Sequence, residues 1–184
     1  HGQYGDVHIK FEPNPGKGYE FVDAVVGGVV PKEFIGSVNK GLEAALLNGN
    51  LAGYPTIDVK ATLFYGSYHD VDSSQLAFEM AASLAFKASK EKCRPVLLEP
   101  VMLVKVTAPT EYGGDIIGDI NKRRGIVEGM EVLETEQVII AQVPQAELAT
   151  YILDLNAMTQ AQASFTMSFS CYQEVPAHLV DKIQ

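Results

Sequence analysis

Residues 57–86 decide the fold of the first half of the chain, and they read IDVKATLFYGSYHDVDSSQLAFEMAASLAF. Apolar residues alternate with mostly polar ones over 57–65, and this two-residue period is typical of a β-strand with one buried face. Further on, apolar residues recur every four positions among alanines, which indicates an amphipathic helix from about Ser73 to Lys92. The predicted buried stripe of this helix is Leu76, Met80 and Leu84.

A polar loop, residues 66–74, joins the predicted strand to the predicted helix. Asp72 is followed three residues later by Gln75, which fits a capping box, and Val71 with Leu76 fits a hydrophobic staple. We therefore predict that Asp72 begins the helix. The sequence gives the other polar residues of the loop no evident role in capping a helix or packing a core. These candidate tip residues are Ser67, Tyr68, His69 and Asp70.

Length and composition indicate a globular protein with a sizeable core. The chain has 184 residues, of which 47% are hydrophobic, enough for one large domain or two small ones. The net charge of −9 disfavours nonspecific binding of DNA or RNA over the whole surface, so any RNA contact would be local. No apolar run reaches the length of about 18 residues that a bilayer requires, and no leader is apparent. We expect a cytoplasmic protein without a membrane contact.

The first half is predicted to have the order β-β-α-β-α. Strands at about 4–12 and 19–26 are separated by a turn rich in proline and glycine, which we interpret as a hairpin with a long connection. A helix from Pro31 to about Gly49 follows, before the strand and helix described above. Because the chain starts with His1, inside a strand pattern, we expect a piece of a longer protein.

The second half is predicted to contain two β-α-β units, which together form a ferredoxin-like sandwich with both helices on one face of an antiparallel sheet. Its helices are expected from about Thr110 to Gly125 and from Pro144 onward. A further short helix starts near Pro176. The predicted strands lie at 96–106, 126–134, 137–143 and 163–172. The fold class is therefore α+β, with two modules.

No pattern in the sequence indicates catalysis. Ser67, His69 and Asp70 are too close in sequence for a catalytic triad, and the chain has no G-x-S-x-G motif. A metal at His69 and Asp70 would need further ligands that the sequence does not offer, and no G-x-x-x-x-G-K-[ST] phosphate loop occurs. We expect no catalytic residue and no metal site, and we favour a binding module over an enzyme.

Two short motifs each allow two interpretations. Gly27 and Gly28 precede a predicted helix, so they form either a tight turn or a cradle for phosphate. Lys122, Arg123 and Arg124 lie in the last turn of another helix. There they either complement the helix dipole or contact RNA or protein.

Ordered motifs along the whole chain resemble two domains of bacterial elongation factor G. GQYGDV (2–7), VGGVVPKEFI (26–35), LAGYP (51–55) and GSYHDVDSS (66–74) resemble its fourth domain. PVLLEP (95–100), GDIIGDIN (114–121), RRG (123–125) and YQEVP (172–176) resemble its fifth domain. The resemblance assigns 1–94 to domain four, 95–175 to domain five, and 176–184 to a truncated segment that returns to domain four.

The resemblance also implies a fold and a function. The first module would be elongated and similar to the second domain of ribosomal protein S5, and the second would be ferredoxin-like. The parent would be a GTPase whose missing G domain binds GTP and magnesium, whereas this fragment would hold no cofactor and would not itself be an enzyme. Its expected role is that of a monomeric, cytoplasmic arm that enters the ribosomal A site and promotes tRNA–mRNA translocation during protein biosynthesis.

The resemblance further implies which residues contact the ribosome. Gly27 and Gly28 on one loop, with the four candidate tip residues Ser67, Tyr68, His69 and Asp70 on the other, would face the decoding RNA of the small subunit and the tRNA–mRNA duplex. His69 would lie nearest this duplex. The second module would face large-subunit RNA and the stalk base. The residues expected to make that contact are Arg123, Arg124, Asn156, Thr159 and Gln162.

The chain departs from the family pattern in the second module. Where members carry D-L-R and a glycine–arginine pair, this chain has Asp154-Leu155-Asn156 and Ala161-Gln162, and His1 stands where arginine is usual. Each lost cation weakens binding to RNA phosphates. The alternative is therefore a paralogue of elongation factor G that binds ribosomes for recycling, stress or ribosome protection without efficient translocation.

Overall fold

A computed structural model describes residues 2–183 of the chain. The chain divides into two compact units, residues 2–96 with residue 183, and residues 97–182. His1 lies outside the described residues. Within the described part, no helix has both the length and the apolar character needed to span a membrane.

The first unit has the predicted element order β-β-α-β-α, followed by a further short helix. Its strands are β1 (Asp6–Pro13), β2 (Glu20–Asp23) and β3 (Val59–Ser67). Its helices are α1 (Lys32–Asn48), α2 (Gln75–Ala88) and the short α3 (Lys90–Cys93).

The predicted hairpin between β1 and β2 is wrong, because β3 lies between them. β3 pairs with β1 antiparallel and with β2 parallel, so α1 is the crossover between two parallel strands. The turn after β1 does not lead into a strand that pairs with β1. It is hydrogen-bonded to Asp58, the residue before β3. Amides of Gly16 and Gly18 donate to the Asp58 carboxylate at 3.2 and 3.0 Å, which satisfies the backbone of the turn without strand pairing.

The alternation predicted for β3 is confirmed at its centre and wrong at its end. Ala61 and Leu63 are fully buried, but Tyr65 is 47% exposed and Gly66 is buried. Between β1 and β3 the register shifts, so that Phe64 is an extra residue on β3. Such a bulge reverses the face that later residues present, which explains why Gly66 replaces Tyr65 in the interior.

The core of the first unit lies between the sheet and helices α1 and α2. Val38, Leu42 and Ala45, which recur at a helical period, lie on the buried face of α1. The stripe predicted for α2 is wrong: its interior residues are Ala77, Phe78, Ala82 and Phe86, and the exposed ones are Leu76, Met80 and Leu84.

An alanine-rich helix is apolar on more than one face, so periodicity alone does not decide which face is buried. The two phenylalanines decide it here, because each finds an aromatic partner in the interior. Phe78 stacks on Phe34 with ring centroids 4.8 Å apart, and Phe86 meets Phe11 edge to face at 6.0 Å.

The second unit is the predicted ferredoxin-like sandwich. It comprises β4 (Leu98–Pro109), α4 (Gly113–Lys122), β5 (Ile126–Val132), β6 (Glu136–Pro144), α5 (Tyr151–Thr159), β7 (Ser164–Glu174) and the short α6 (Ala177–Val180). The sheet order is β5-β6-β4-β7, and every pairing is antiparallel. The segment predicted to return to the first module is described to residue 183, and its residues up to 182 group with the second unit.

One face of this sheet packs against both helices. Strand residues such as Val104, Ile139 and Ala141 form a buried cluster with Ile116 of α4 and Leu155 of α5. The helix predicted to open at Pro144 begins later than expected. A three-residue 3-10 turn follows Pro144, and α5 begins only at Tyr151.

Candidate nucleic-acid interface

Three segments of the first unit converge at one end of its sheet. Because β2 and β3 run parallel, the loops that follow them, residues 24–31 and 68–74, leave the sheet at the same end. β1 runs antiparallel to β3 and pairs Asp6 with Ser67, so the segment before β1 lies at this end too. Gly66 allows a close approach here, since a Cβ would lie 2.6 Å from Val30 Cγ2.

The loop between β3 and α2 is capped differently from our prediction. Ser74, not Asp72, is the N-cap of α2, and its hydroxyl accepts from the Ala77 amide at 3.1 Å. The predicted staple is wrong as well, because Val71 is 75% and Leu76 54% exposed. The helix begins two residues later than expected, which leaves Asp72 outside it with its carbonyl accepting from the Tyr4 amide at 2.9 Å.

The segment before β1 holds this loop through Tyr4 and Ser73. The Ser73 hydroxyl donates to the Tyr4 carbonyl at 2.9 Å and accepts from the His69 amide at 2.8 Å. The Ser73 amide donates back to the His69 carbonyl at 3.0 Å. Gly5 lets the segment pass against α2, since a Cβ there would lie 2.9 Å from the Ala77 carbonyl oxygen. The backbone amide and the backbone carbonyl of His69 are thereby both hydrogen-bonded to Ser73.

Ser67 supports the tip rather than forming it. This half-buried residue donates its hydroxyl to the Asp6 carboxylate at 2.9 Å, and the same oxygen lies 2.7 Å from the Tyr4 hydroxyl. Since a serine hydroxyl has one proton, Tyr4 is the donor to Ser67. Ser67 therefore has a supporting role in this unit, and its predicted contact with RNA stays a prediction.

The candidate tip residues that are exposed are Tyr68, His69 and Asp70. These three residues, with Val71 and Asp72, line a shallow open concavity. The His69 imidazole is stacked on the Tyr4 ring, with centroids 4.0 Å apart and planes inclined by 11°. The tip thus offers an imidazole, a phenol and a carboxylate on a fixed backbone, which suits hydrogen bonding and stacking.

The glycine pair lies on the neighbouring loop. Gly27 and Gly28 both have positive φ values, +71° and +65°, and a Cβ on either would meet no atom within 4 Å. Both are exposed, and α1 begins only at Lys32, after Pro31, which has no N–H to offer. These features favour the tight-turn interpretation over a phosphate cradle at the start of the helix.

The two arginines predicted to contact large-subunit RNA are occupied within the second unit. Arg123 bonds Asp119 at 2.8 Å, the Glu147 carbonyl at 2.6 Å and the Asp154 carboxylate. Arg124 bonds both oxygens of Glu99, at 2.7 and 3.1 Å, and Glu147 at 3.0 Å.

Burial would lower the pKa of Arg123, but hydrogen bonds to Asp119 and Asp154 outweigh it and raise that pKa. The hydrogen bond to Glu99 likewise raises the pKa of Arg124. Both guanidinium groups therefore stay charged and paired. Carboxylates of the same unit surround both guanidinium groups.

The remaining predicted residues of the second unit divide into buried and exposed ones. Thr159 is fully buried and its hydroxyl donates to the Leu155 carbonyl at 2.7 Å, so the prediction of a surface contact is wrong for its side chain. Asn156 and Gln162 are exposed, and Gln162 Nε2 lies 3.3 Å from the Tyr112 hydroxyl. Among residues 2–183, no group of three or more His, Cys, Asp or Glu could hold a metal ion.

Sequence reasoning missed Tyr4 and Ser73. Both lie within motifs that carry the resemblance, but their contacts join positions 69 residues apart, which no local pattern reveals. Of the arginine ion pairs, one could have been predicted from the sequence. Asp119 and Arg123 are four residues apart on a predicted helix, and this spacing is typical of an ion pair.

Comparisons with known proteins agree with this architecture. Residues 1–94 match the family model described as elongation factor G, domain IV, and residues 96–183 match the model described as elongation factor G C-terminus. The chain is 53% identical over 182 residues to elongation factor G of Mycoplasma genitalium, covering 99% of this chain and 26% of that protein.

A crystal structure of a protein from Thermus thermophilus is similar throughout. It superposes with a TM-score of 0.91 at 44% identity, covering 100% of this chain and 27% of the other. The chain thus spans about a quarter of the length of these relatives. Since one family model alone covers residues 1–94 and a second accounts for 96–183, the chain belongs to the elongation factor G family.

Proposed function

We propose that this chain is the ribosome-binding arm of a translational GTPase, and that its first unit enters the A site and promotes tRNA–mRNA translocation. The observation that carries the proposal is the tip at one end of the first unit, where Tyr68, His69 and Asp70 are exposed on a backbone fixed from two sides. The glycine loop at the same end, Gly27 and Gly28, is the second contact.

The chemistry of the tip suits a shaped RNA surface better than a bare phosphate backbone. Residues 66–74 contain two acidic side chains and no lysine or arginine, in a chain of net charge −9. Such a tip gains little from phosphate attraction, so its affinity would come from shape, stacking and hydrogen bonds, which are the usual means of recognising structured RNA. A tRNA–mRNA duplex held in the decoding site offers these features.

The partners of the second unit are proposed from the same family membership. We place it against large-subunit RNA and the stalk base, with Asn156 and Gln162 as exposed polar contacts. Arg123 and Arg124 support that surface from inside through their carboxylate partners. GTP and magnesium would bind in the part of the parent protein that corresponds to the other three quarters of its relatives.

The test is the replacement of His69 by alanine in the full-length parent protein. Loss of one stacking or polar contact with RNA, worth about 1–3 kcal/mol, would slow tRNA–mRNA movement in a stopped-flow assay by roughly fivefold to 150-fold. GTP hydrolysis should be unchanged, because the tip lies in a different part of the parent. The matched control is His178→Ala, which removes another exposed histidine. Unchanged movement in His69→Ala would refute the proposed role.

The comparisons do not favour the alternative, a paralogue that binds ribosomes without efficient translocation. Its support is the neutral residues Asn156, Ala161 and Gln162 where family members carry arginines and a glycine. Poly(Phe) synthesis by the full-length parent decides between the two. Robust synthesis excludes the alternative, and ribosome binding without synthesis would establish it.

A further inference from the structure

We propose that Tyr4 is a positioning residue that holds the His69 imidazole in one orientation at the tip. The inference rests on the proposed function, because it matters for translocation only if His69 meets RNA. Its structural part is independent of the ribosome: Tyr4 belongs to the segment before β1, whereas His69 lies 65 positions further along the chain.

The two rings form a close parallel stack. Their centroids are 4.0 Å apart and their planes are inclined by 11°, so one face of the imidazole is covered by the phenol ring. An aromatic contact of this kind favours the stacked state over an open one by roughly twofold to tenfold. The stack therefore biases the orientation of an exposed side chain that would otherwise move among rotamers.

Tyr4 can act as a fixed backing because its own position is determined at three points. Its amide donates to the Asp72 carbonyl at 2.9 Å and its carbonyl accepts from the Ser73 hydroxyl at 2.9 Å. Its hydroxyl lies 2.7 Å from Ser67 Oγ, which in turn donates to Asp6. A ring held by its backbone and by its hydroxyl has little freedom to follow a moving imidazole.

The arrangement defines what His69 can offer a partner. Its backbone amide and carbonyl are both bonded to Ser73, and within residues 2–183 neither imidazole nitrogen has a hydrogen-bond partner. With one face on Tyr4, the opposite face and the two nitrogens are the groups left for RNA. Because the imidazole is ordered before contact, less conformational entropy is lost on binding.

The first measurement is the NMR spectrum of this chain. In the stack, the ring current of Tyr4 shifts the Hδ2 and Hε1 resonances of His69 upfield. Tyr4→Leu should move them downfield toward the positions of an unstacked histidine, whereas Tyr4→Phe, which keeps the ring, should leave them in place. The resonances of His178 are the internal control. If those of His69 do not move in Tyr4→Leu, the inference is wrong.

Tyr4→Met serves as the second variant if Tyr4→Leu does not fold, since it removes the ring while keeping a long apolar side chain. Dispersion of the amide resonances of residues 2–96 reports folding directly. Tyr4→Phe also separates the roles of ring and hydroxyl. If Tyr4→Phe shifts the His69 resonances as far as Tyr4→Leu does, the hydroxyl and not the stack sets the orientation, and the inference is overturned.

The second measurement is translocation by the full-length parent in a double-mutant cycle. Tyr4→Leu should slow tRNA–mRNA movement roughly twofold to tenfold, the contribution expected of the stack. In a His69→Ala background the same change should have no further effect, because Tyr4 acts through His69. Additive losses would show that Tyr4 acts by another route and would overturn the inference.

The two measurements separate this inference from the function on which it rests. If His69→Ala leaves movement unchanged, the proposed function fails, while the NMR result still decides whether Tyr4 orients the imidazole. If His69→Ala slows movement but Tyr4→Leu leaves the His69 resonances in place, the proposed function stands and the positioning role of Tyr4 fails.

Discussion

Replacing Arg124 by methionine should lower the free energy of unfolding of the second unit by about 2–3 kcal/mol. The guanidinium of Arg124 bonds both carboxylate oxygens of Glu99, and its Nε bonds Glu147. The Glu99 side chain is only 11% exposed. Without Arg124 its negative charge would remain in the interior with neither a cation nor enough water.

The magnitude follows from how deeply the pair is buried. Breaking a fully buried ion pair costs about 3–5 kcal/mol, and an exposed pair contributes about 0–1 kcal/mol. Arg124 is 25% exposed and its second partner, Glu147, is 35% exposed. The loss should therefore lie between these limits. Arg124 has a φ of +59°, and methionine leaves this backbone cost unchanged because both residues carry a Cβ.

Urea unfolding at pH 7, followed by the NMR signals of residues 97–182, measures this unit by itself. Lys122→Met is the matched control, since Lys122 is the exposed last residue of α4, two positions before Arg124, and its effect should stay within about 0.5 kcal/mol. Adding Glu99→Gln to Arg124→Met should restore part of the stability, because a neutral amide replaces the stranded carboxylate.

Two results would refute this reasoning. A loss below about 0.5 kcal/mol for Arg124→Met would mean that water hydrates Glu99 without its partner. A further loss on adding Glu99→Gln would mean that the carboxylate has another stabilising role, which the contacts of the second unit do not reveal.

Three further predictions concern the helix cap at Ser74, the buried face of α2 and the pH dependence that Asp154 contributes. Ser74→Ala should destabilise the first unit by about 1 kcal/mol, whereas Asp72→Ala should not reproduce this loss; urea unfolding compares them. In the same assay, Phe78→Ala should lower the free energy of unfolding by about 3–5 kcal/mol and Leu76→Ala by under about 1 kcal/mol. A larger loss for Leu76→Ala than for Phe78→Ala would contradict the buried face described for α2. Hydrogen bonds from Thr150 and Arg123 hold the pKa of Asp154 below its usual value, so its stabilising effect is present above the unfolded-state pKa and is lost as pH falls through the folded-state pKa. Asp154→Asn should therefore flatten the acid side of the stability profile of the second unit, and an unchanged profile would contradict the assignment.

Local patterns in the sequence were sufficient for the elements and insufficient for their pairing in the first unit. The two-residue period around Ala61 and Leu63 and the helical period of α1 both reflect burial of one face, and the structure confirms them. The order β1-β3-β2 depends on a crossover that brings β3 between two earlier strands. The sequences of β1 and β2 contain no pattern that indicates a third strand between them. Pairing β1 directly with β2 was therefore the wrong prediction.

The errors at the candidate interface have a common physical origin. A bulge at Phe64 and a helix start at Ser74 each shift the local register by one or two residues, the first through the pairing of β3 with β1 and the second through the Ser74 cap. Sequence reasoning placed Tyr68, His69 and Asp70 on an exposed loop correctly, because polar residues outside any period seldom pack. It could not separate Ser67 from them, since the partners of its hydroxyl, Tyr4 and Asp6, lie 63 and 61 positions earlier in the chain.

The convergence of three segments at the tip has a consequence for how this surface can form and be imitated. Tyr4 and Asp72 meet only after 68 positions of chain have closed into a loop, and contacts of such long range form slowly. A synthetic peptide of residues 66–75 would contain His69 but lack its backing ring. The recognition surface is therefore a property of the finished unit, and the appearance of the Tyr4–His69 stack should mark the completion of folding.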